Sequence, residues 1–377
     1  MKRIVLFLGI FILASQFVSR SEAPSVLPAV AAEGGHALYL DEGGTVWAWG
    51  SNQRGESNPL SADSRVTTPQ AVMTGARAVA CGQQFSMAID ETGALLMWGD
   101  NRLKQIPGLD GERASAPFKV MENVSQIAAC DARAALVTDD GRAYLWGNGS
   151  EMTLAAEDAS MLFAGMDFYL LLSQSGDVYE LREGADAEAR VPVPDGCVSV
   201  SASGQTRLAV TAEGELYAWG ASGEDGRLGL NRIGWIPEPT RVSIPSVSRA
   251  RAGLTASAAF TEDGRLWLWG TLYSYAVHMD DDGNALGAFS EGELVRYGSA
   301  PLCLYENLSD IAFGDAFVVA LRSDGSLYTW GSNDQGQIGD GTYTQTACEA
   351  AQSDEDEEVY ITVSEQRVFP VLLMPGA

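Results

Sequence analysis

The sequence predicts an all-β protein, a seven-bladed β-propeller of about seven four-stranded repeats closed by the C-terminal strand. Three observations carry the prediction. A turn glycine recurs with similar flanks at Gly44, Gly93, Gly141, Gly176, Gly214, Gly264 and Gly325. Five residues beyond each stands Trp49, Trp98, Trp146, Leu181, Trp219, Trp269 or Trp330, followed by glycine in every repeat but the fourth, which has Arg182. Between these marks apolar and polar residues alternate, as in Thr45-Val-Trp-Ala-Trp49 and Leu266-Trp-Leu-Trp269, which is the period of strands and not of helices.

Within a repeat the strands follow one another through tight turns. In the second repeat they are read at Ala78-Val-Ala-Cys81, Phe85-Ser-Met-Ala-Ile89, Leu95-Leu-Met-Trp98 and Pro117-Phe-Lys-Val120. The turn before the third strand ends in glycine, as in Asp-Glu-Gly-Gly44, Asp-Asp-Gly141 and Ser-Asp-Gly325. That suits a type I turn followed by a left-handed residue, where a Cβ would be penalised. These glycines therefore shape turns; cradling phosphate would need a helix N-terminus behind them. The fourth strand opens on Pro69, Pro117, Pro239, Pro301 or Pro370, while repeats three and four are trimmed and degenerate. Repeats share their cores with neighbours, so residues 24–377 form one domain. The strand Pro370-Val-Leu-Leu373 brings the chain back beside the repeat that starts near Val30.

Lys2 and Arg3 precede an apolar run from Ile4 to Ala14, and Ser21-Glu-Ala23 places small residues at the spacing of a signal-peptidase site. Residues 1–23 are read as a cleaved secretory signal, with an uncleaved anchor as the other reading. The run is short for a membrane span, and no other stretch is long and apolar enough to be one. The mature chain is expected to be a monomer, secreted or held in the cell envelope. The formal charge of −26 repels phosphate backbones and anionic lipid, which sets nucleic acid and membrane surfaces aside as partners. The five cysteines, Cys81, Cys130, Cys197, Cys303 and Cys348, are too sparse for a disulfide framework. Cys81 and Cys130 open equivalent strands where other repeats have Ala164, Ser203 and Ala252, the mark of a small buried side chain. Asn123-Val-Ser, Asn148-Gly-Ser and Asn307-Leu-Ser are glycosylation sequons, meaningful only in a host that glycosylates exported chains.

The strand-turn-strand units, the run Trp-Gly-Ser-Asn-Asp-Gln-Gly-Gln-Ile-Gly-Asp-Gly at residues 330–341 and the Pro-x-x-apolar strands resemble the regulator of chromosome condensation repeat. The resemblance covers nearly the whole mature chain and implies the same propeller. In fold and location the chain is also similar to the exported β-lactamase inhibitory protein of the second type. The founding family member is a nuclear exchange factor for a small GTPase that binds chromatin. An export signal, a strongly negative charge and the lack of a basic tail argue against carrying that role over.

Motifs of catalysis are absent: there is no Gly-x-Ser-x-Gly, no His-Glu-x-x-His and no Cys-x-x-Cys, and His36 and His278 lie far apart. His36 is read as a packing residue, and no catalytic residue or cofactor is assigned. Asp280, Asp282, Asn284 and Glu291 stand at positions one, three, five and twelve of a calcium-loop spacing. Ala285 occupies the sixth position, where the sharp turn wants glycine, so an extra acidic hairpin is the favoured reading and calcium the second. The rival function is an enzyme acting on polysaccharide or peptide at the central mouth, with Asp131, Asp167 and Asp315 as candidate carboxylates.

Loop length points to a binding face. Residues 271–300 and 332–369 insert into repeats six and seven, which are adjacent blades, and should rise side by side. They carry Tyr273, Tyr275, Phe289, Tyr297, Tyr343 and Tyr360, and the repeat-five loop adds Trp235. Aromatic residues on loops held by a rigid scaffold make binding anchors, although each ring could instead pin its loop to the propeller. The expected function is a non-enzymatic scaffold that binds another macromolecule, a protein of the extracellular space or cell envelope.

Overall fold

A computed structural model describes residues 26–182, 189–223, 225–272, 295–343, 347–352, 358–363 and 366–374. Blade one is β1 (Ala29–Glu33), β2 (His36–Leu40), β3 (Val46–Ser51) and β4 (Arg65–Met73), and blade two is β5 (Ala76–Cys81), β6 (Phe85–Asp90), β7 (Leu95–Asp100) and β8 (Arg113–Met121). Blade three is β9 (Val124–Cys130), β10 (Arg133–Thr138), β11 (Ala143–Gly147) and β12 (Ser150–Ala156). Blade four is β13 (Ala159–Ala164), β14 (Tyr169–Ser173), β15 (Val178–Leu181) and β16 (Ala189–Arg190). Blade five is β17 (Cys197–Ser203), β18 (Thr206–Thr211), β19 (Leu216–Ser222) and β20 (Gly234–Val242), and blade six is β21 (Val247–Ala252), β22 (Ala256–Thr261), β23 (Arg265–Leu272) and β24 (Val295–Glu306). Blade seven is β25 (Leu308–Phe313), β26 (Phe317–Arg322), β27 (Leu327–Ser332) and, after an inserted hairpin of β28 (Ala347–Gln352) and β29 (Glu358–Val363), β30 (Gln366–Met374). Each blade is a four-stranded antiparallel sheet in chain order.

All seven turn glycines are left-handed, with φ between 75° and 86°, as expected. The N–H of Gly44 donates to the carbonyl of Asp41 at 3.0 Å, and every later turn repeats that bond, down to Gly325 N–H on Arg322. The glycine after the tryptophan has a second cause. At Gly50, φ is 99° and a Cβ would stand 2.3 Å from the carbonyl oxygen of Gly35. The third strand leaves its blade across the loop between the first two, and only glycine fits.

Blades are joined by a latch. At the seams into blades one, two, three and six, a backbone carbonyl in the loop after the third strand turns toward the next blade and accepts the indole N–H of its tryptophan. Trp98 donates to Glu56 and Trp49 to Gln337 at 2.8 Å, Trp146 to Gln105 at 2.7 Å, and Trp269 to Arg227 at 2.8 Å. Asparagine folds this loop: the Asn101 carbonyl oxygen accepts Ile106 N–H at 2.8 Å and that of Asn333 accepts Ile338 N–H at 3.1 Å. A left-handed residue makes the bend, Gly55, Gly226 or Gly336, with Lys104 in the same conformation at φ 60°. The core is correspondingly a series of wedges between sheets. Trp98, Met87 and Ile89 of blade two pack with Leu38, Leu40 and Val46 of blade one.

The C-terminal strand β30 completes blade seven by pairing with β27. The ring itself closes through side chains: Val30, Ala37, Tyr39 and Trp49 of blade one pack on Phe317, Val319, Leu321 and Leu327 of blade seven. Two details differ from expectation. Cys81 and Cys130 end their strands instead of opening them, because each first strand runs outward to the loop end of the blade. Repeats three and four, though trimmed, still supply a fourth strand, in blade four only Ala189–Arg190.

Candidate functional site

The first strands of all seven blades surround a central channel of about 270 Å³, lined by small residues such as Ala31, Val79, Ala128 and Ala202 together with Ser201 and Arg251. The last residues of those strands form its mouth: Glu33, Cys81, Cys130, Ala164, Ser203, Ala252 and Phe313. Glu33 is the one acid in this ring. Its Oε1 accepts the N–H of Asp131 at 3.3 Å and has Cys130 Sγ at 3.9 Å, so it reaches from blade one past blade two to blade three.

Burial, reinforced by the charges of Asp315 and Asp131, pushes the Glu33 carboxyl up to about 8 against the pull of the Asp131 N–H. Glu33 keeps some exposure because it faces the channel. Burial also raises Asp315, opposed by a backbone hydrogen bond at Gly34. The thiols of Cys81 and Cys130 are pushed well above their ordinary range by burial and then by Glu33, which makes them poor nucleophiles. Thus the mouth can hold a proton near neutrality, with no activated nucleophile beside it. His36, buried and bonded through Nε2 to Ser86 Oγ at 2.9 Å, is held neutral by burial, its pKa lowered to about 4. That is the packing role expected of it. Among the described residues no group of three or more His, Cys, Asp or Glu side chains is arranged to hold a metal ion.

Of the three aspartates read as central, Asp131 and Asp315 join the Glu33 cluster. Asp167 does not, since Arg182 Nη1 holds it at 3.4 Å and both side chains are half exposed. The aromatic anchors divide. Trp235 is 55% exposed at the start of β20, over the guanidinium of Arg207 at 5.4 Å. Tyr343 is 42% exposed in the loop after β27, with Arg65 of blade one 5.1 Å from its ring. Each ring touches the scaffold and still faces solvent. They stand over different blades and are not brought together. Tyr297 lies in β24 and Tyr360 in β29. Tyr273, Tyr275, Phe289 and the calcium candidates Asp280, Asp282, Asn284 and Glu291 lie outside the described residues.

The seam between blades four and five holds a cluster that sequence reasoning missed. Arg207, 1% exposed, lies 3.5 Å from the centre of the Phe168 ring, and its Nε and Nη2 donate to Glu180 at 2.9 and 3.2 Å. Two signals were available in the repeat alignment. Glu33 stands where other repeats keep small or apolar residues. Arg207 stands opposite Trp219 where other repeats have Ala37, Ser86, Ala134, Ser257 or Val318 opposite their tryptophans.

Residues 29–56, 76–105 and 308–337 match the family of the regulator of chromosome condensation (RCC1) repeat. Over 76% of its length the chain is 26% identical to the human E3 ubiquitin-protein ligase HERC2, of which it spans only 6%. It is 25% identical to the mouse secretion-regulating guanine nucleotide exchange factor, covering 84% of this chain and 68% of that one. Among solved structures, yeast RCC1 (Prp20) bound to Kap60 superposes with a TM-score of 0.64 at 16% identity, covering 97% of this chain and 89% of that one.

Proposed function

We propose, from the premise that the chain is a seven-bladed propeller of RCC1-like repeats, that it is an exported, non-enzymatic scaffold binding another protein through the face that carries the channel mouth. One observation carries the reading. Of the ten large apolar side chains exposed among the described residues, six lie on loops or strand starts of this face: Leu60, Leu103, Met166, Ile233, Trp235 and Tyr343. None lies on the opposite hairpin turns, and Leu27, Val198 and Leu372 are the three near the strand ends of that side. Apolar groups gathered on loops over a rigid ring are the composition of a protein interface, whereas scattered ones need no explanation. The strands that flank the two long connections, β23 and β24 in blade six and β27 and β30 in blade seven, open toward the same face. Relatives named as an exchange factor and as a ubiquitin ligase, and an RCC1 structure that is a complex with Kap60, are in keeping with a propeller used on proteins. An inhibitor of an exported enzyme is a special case of this reading.

The test is capture. Residues 24–377 are immobilised beside a Trp235→Ala/Tyr343→Ala variant and exposed to extracellular extract. Loss of a retained protein in the variant supports the reading; equal retention by both, or none by either, overturns it. A second reading, turnover of a ligand at the channel mouth, is favoured by Glu33 alone, whose carboxyl titrates near neutrality as a general acid must. Glu33→Gln separates the two, since it would abolish turnover and leave capture unchanged.

A further inference from the structure

Small side chains line most of the central channel. One residue below the rim, the first strand holds Ala32, Ala80, Ala129, Ala202 and Ala312 in five blades and Phe163 in a sixth. Blade six has Arg251 there, and Arg251 belongs to the channel lining. Alanine satisfies the fold at this position, so the arginine has another cause.

The other polar side chains of the wall are spent on the backbone of other blades. Gln126 donates to the carbonyl of Leu162 and accepts its N–H, both at 3.0 Å, Ser201 Oγ accepts Ala252 N–H at 3.0 Å, and Glu33 accepts Asp131 N–H. Behind the wall Asp310, 4% exposed, accepts Val30 N–H on Oδ2 at 3.2 Å and Arg249 Nη1 on Oδ1 at 2.9 Å. Arg249 is fixed further by the Phe260 ring, whose centre is 3.9 Å from its guanidinium carbon, and by the carbonyl of Ser309. Asp310 thus has its cation without Arg251. Arg251 adds one longer bond to the same oxygen, from Nη2 at 3.3 Å, and among the described residues its Nε and Nη1 have no partner.

Two guanidinium groups therefore share one carboxylate, and the wall carries a positive charge in excess. Glu33, the one other charged residue of the lining, subtracts little at neutral pH, because burial pushes its carboxyl up to about 8. Asp131 and Asp315 stand in the loops above the rim and charge the entrance, not the wall.

We propose that the channel binds a small monocarboxylate with a short apolar chain, its carboxylate held by Arg251 and its chain lying along the alanine-rich wall. A guanidinium holds a carboxylate through two parallel N–H donors, and one surplus charge matches a monoanion better than a doubly charged phosphate. The channel's volume of about 270 Å³ is room for about nine water-sized groups of about 30 Å³ each, which suits a chain of about six carbons. The proposal is independent of the protein-binding reading, since it uses neither the exposed loops nor a partner chain.

The probes are straight-chain carboxylates from acetate to octanoate, titrated calorimetrically against the full chain at low salt beside hexanol and hexylamine. Hexanoate is expected to bind about tenfold tighter or more than either control, because only it brings a charge-assisted acceptor to Arg251. Arg251→Met keeps the apolar stem and leaves Arg249 paired with Asp310. Its urea midpoint should match that of the unaltered chain while hexanoate binding falls about tenfold or more. Arg251→Lys keeps the charge and should retain part of the affinity. Failure of every carboxylate to bind, equal binding of hexanol, or undiminished binding by Arg251→Met would each overturn the proposal. If Arg251→Met lowers the urea midpoint and a folded Arg251→Lys takes up no hexanoate, Arg251 is a strut between blades six and seven, and the proposal fails.

Discussion

The seam between blades one and two and the seam between blades four and five solve one packing problem with different chemistry. At the first, Trp98 is fully buried and gives its N–H to the carbonyl of Glu56 at 2.8 Å, and Ser86 Oγ donates to the same carbonyl. At the second, the preceding repeat holds Leu181 and Arg182 where the others hold Trp-Gly, and Arg207 fills the seam between Phe168 and Glu180. A neutral latch weakens in step with the size of the group removed from it. The ion pair is less forgiving, since Arg207 without Glu180 is a desolvated charge. Of these two seams, the one beside the degenerate repeat is therefore the more sensitive to a change of charge.

The largest expected effect tests that statement directly. Arg207→Ala removes a fully buried side chain from between Phe168 and Glu180 and leaves Glu180 with Arg182 at 2.9 Å as its partner, and is expected to cost about 3 kcal/mol in urea unfolding, while Arg207→Met/Glu180→Met recovers most of the loss. If the single and double variants are equally unstable, the pair is no more than packing. At the latched seam, Trp98→Phe keeps an aromatic ring but deletes the donor and part of the volume, for an expected loss of about 1–3 kcal/mol. A loss as large as that of Arg207→Ala would erase the distinction between the seams.

Acidity should drive the two seams in opposite directions. Burial raises the Glu56 carboxyl above its ordinary value, only partly offset by hydrogen bonds from Ser51 and the Arg54 N–H. Its contribution is complete below the unfolded value and fades as pH rises through the folded one. For Glu180, burial pushes upward but is outweighed by the hydrogen bonds and charges of Arg207 and Arg182, so the net pKa is lowered. Its contribution is present above the unfolded value and is lost as pH falls through the folded one. Amide exchange across the acid range should show protection in β18 falling while that in β6 rises. A common direction in both would overturn the assignment. The smallest effect is expected for Trp235→Ala, about 0.5–1 kcal/mol, since the exposed ring gives Arg207 only a cation–π contact. A larger cost would make Trp235 a structural pin and not a binding residue.

Much of the fold could be read in the chain because each repeat states it anew. Seven glycines at one phase, all left-handed in the structure, fixed the turn type, and the tryptophan spacing fixed the blade count. Outer-strand boundaries were less legible: β8 begins at Arg113, four residues before the proline that marked it, because a half-exposed edge strand needs no apolar alternation. The candidate site was less legible still. Trp235 and Tyr343 announced themselves as aromatic residues in loops, but Glu33 and Arg207 act across blades, and their partners Asp131 and Glu180 lie 98 and 27 residues away. Charges that find partners at such separations leave no periodic trace. The hairpin β28–β29 passed for loop because a single ribbon has no counterpart in the other repeats.

Every blade of this ring is one continuous stretch of chain, and the last blade meets the first through packed side chains and loop hydrogen bonds without sharing a sheet. A duplication, loss or shuffling of one repeat therefore moves a whole sheet together with its latch, and no strand is left orphaned at the join. In such a ring the unit of inheritance coincides with the unit of folding. One copy, the fourth, can accordingly lose its Trp-Gly and be patched by a single arginine in its neighbour while the other six keep theirs.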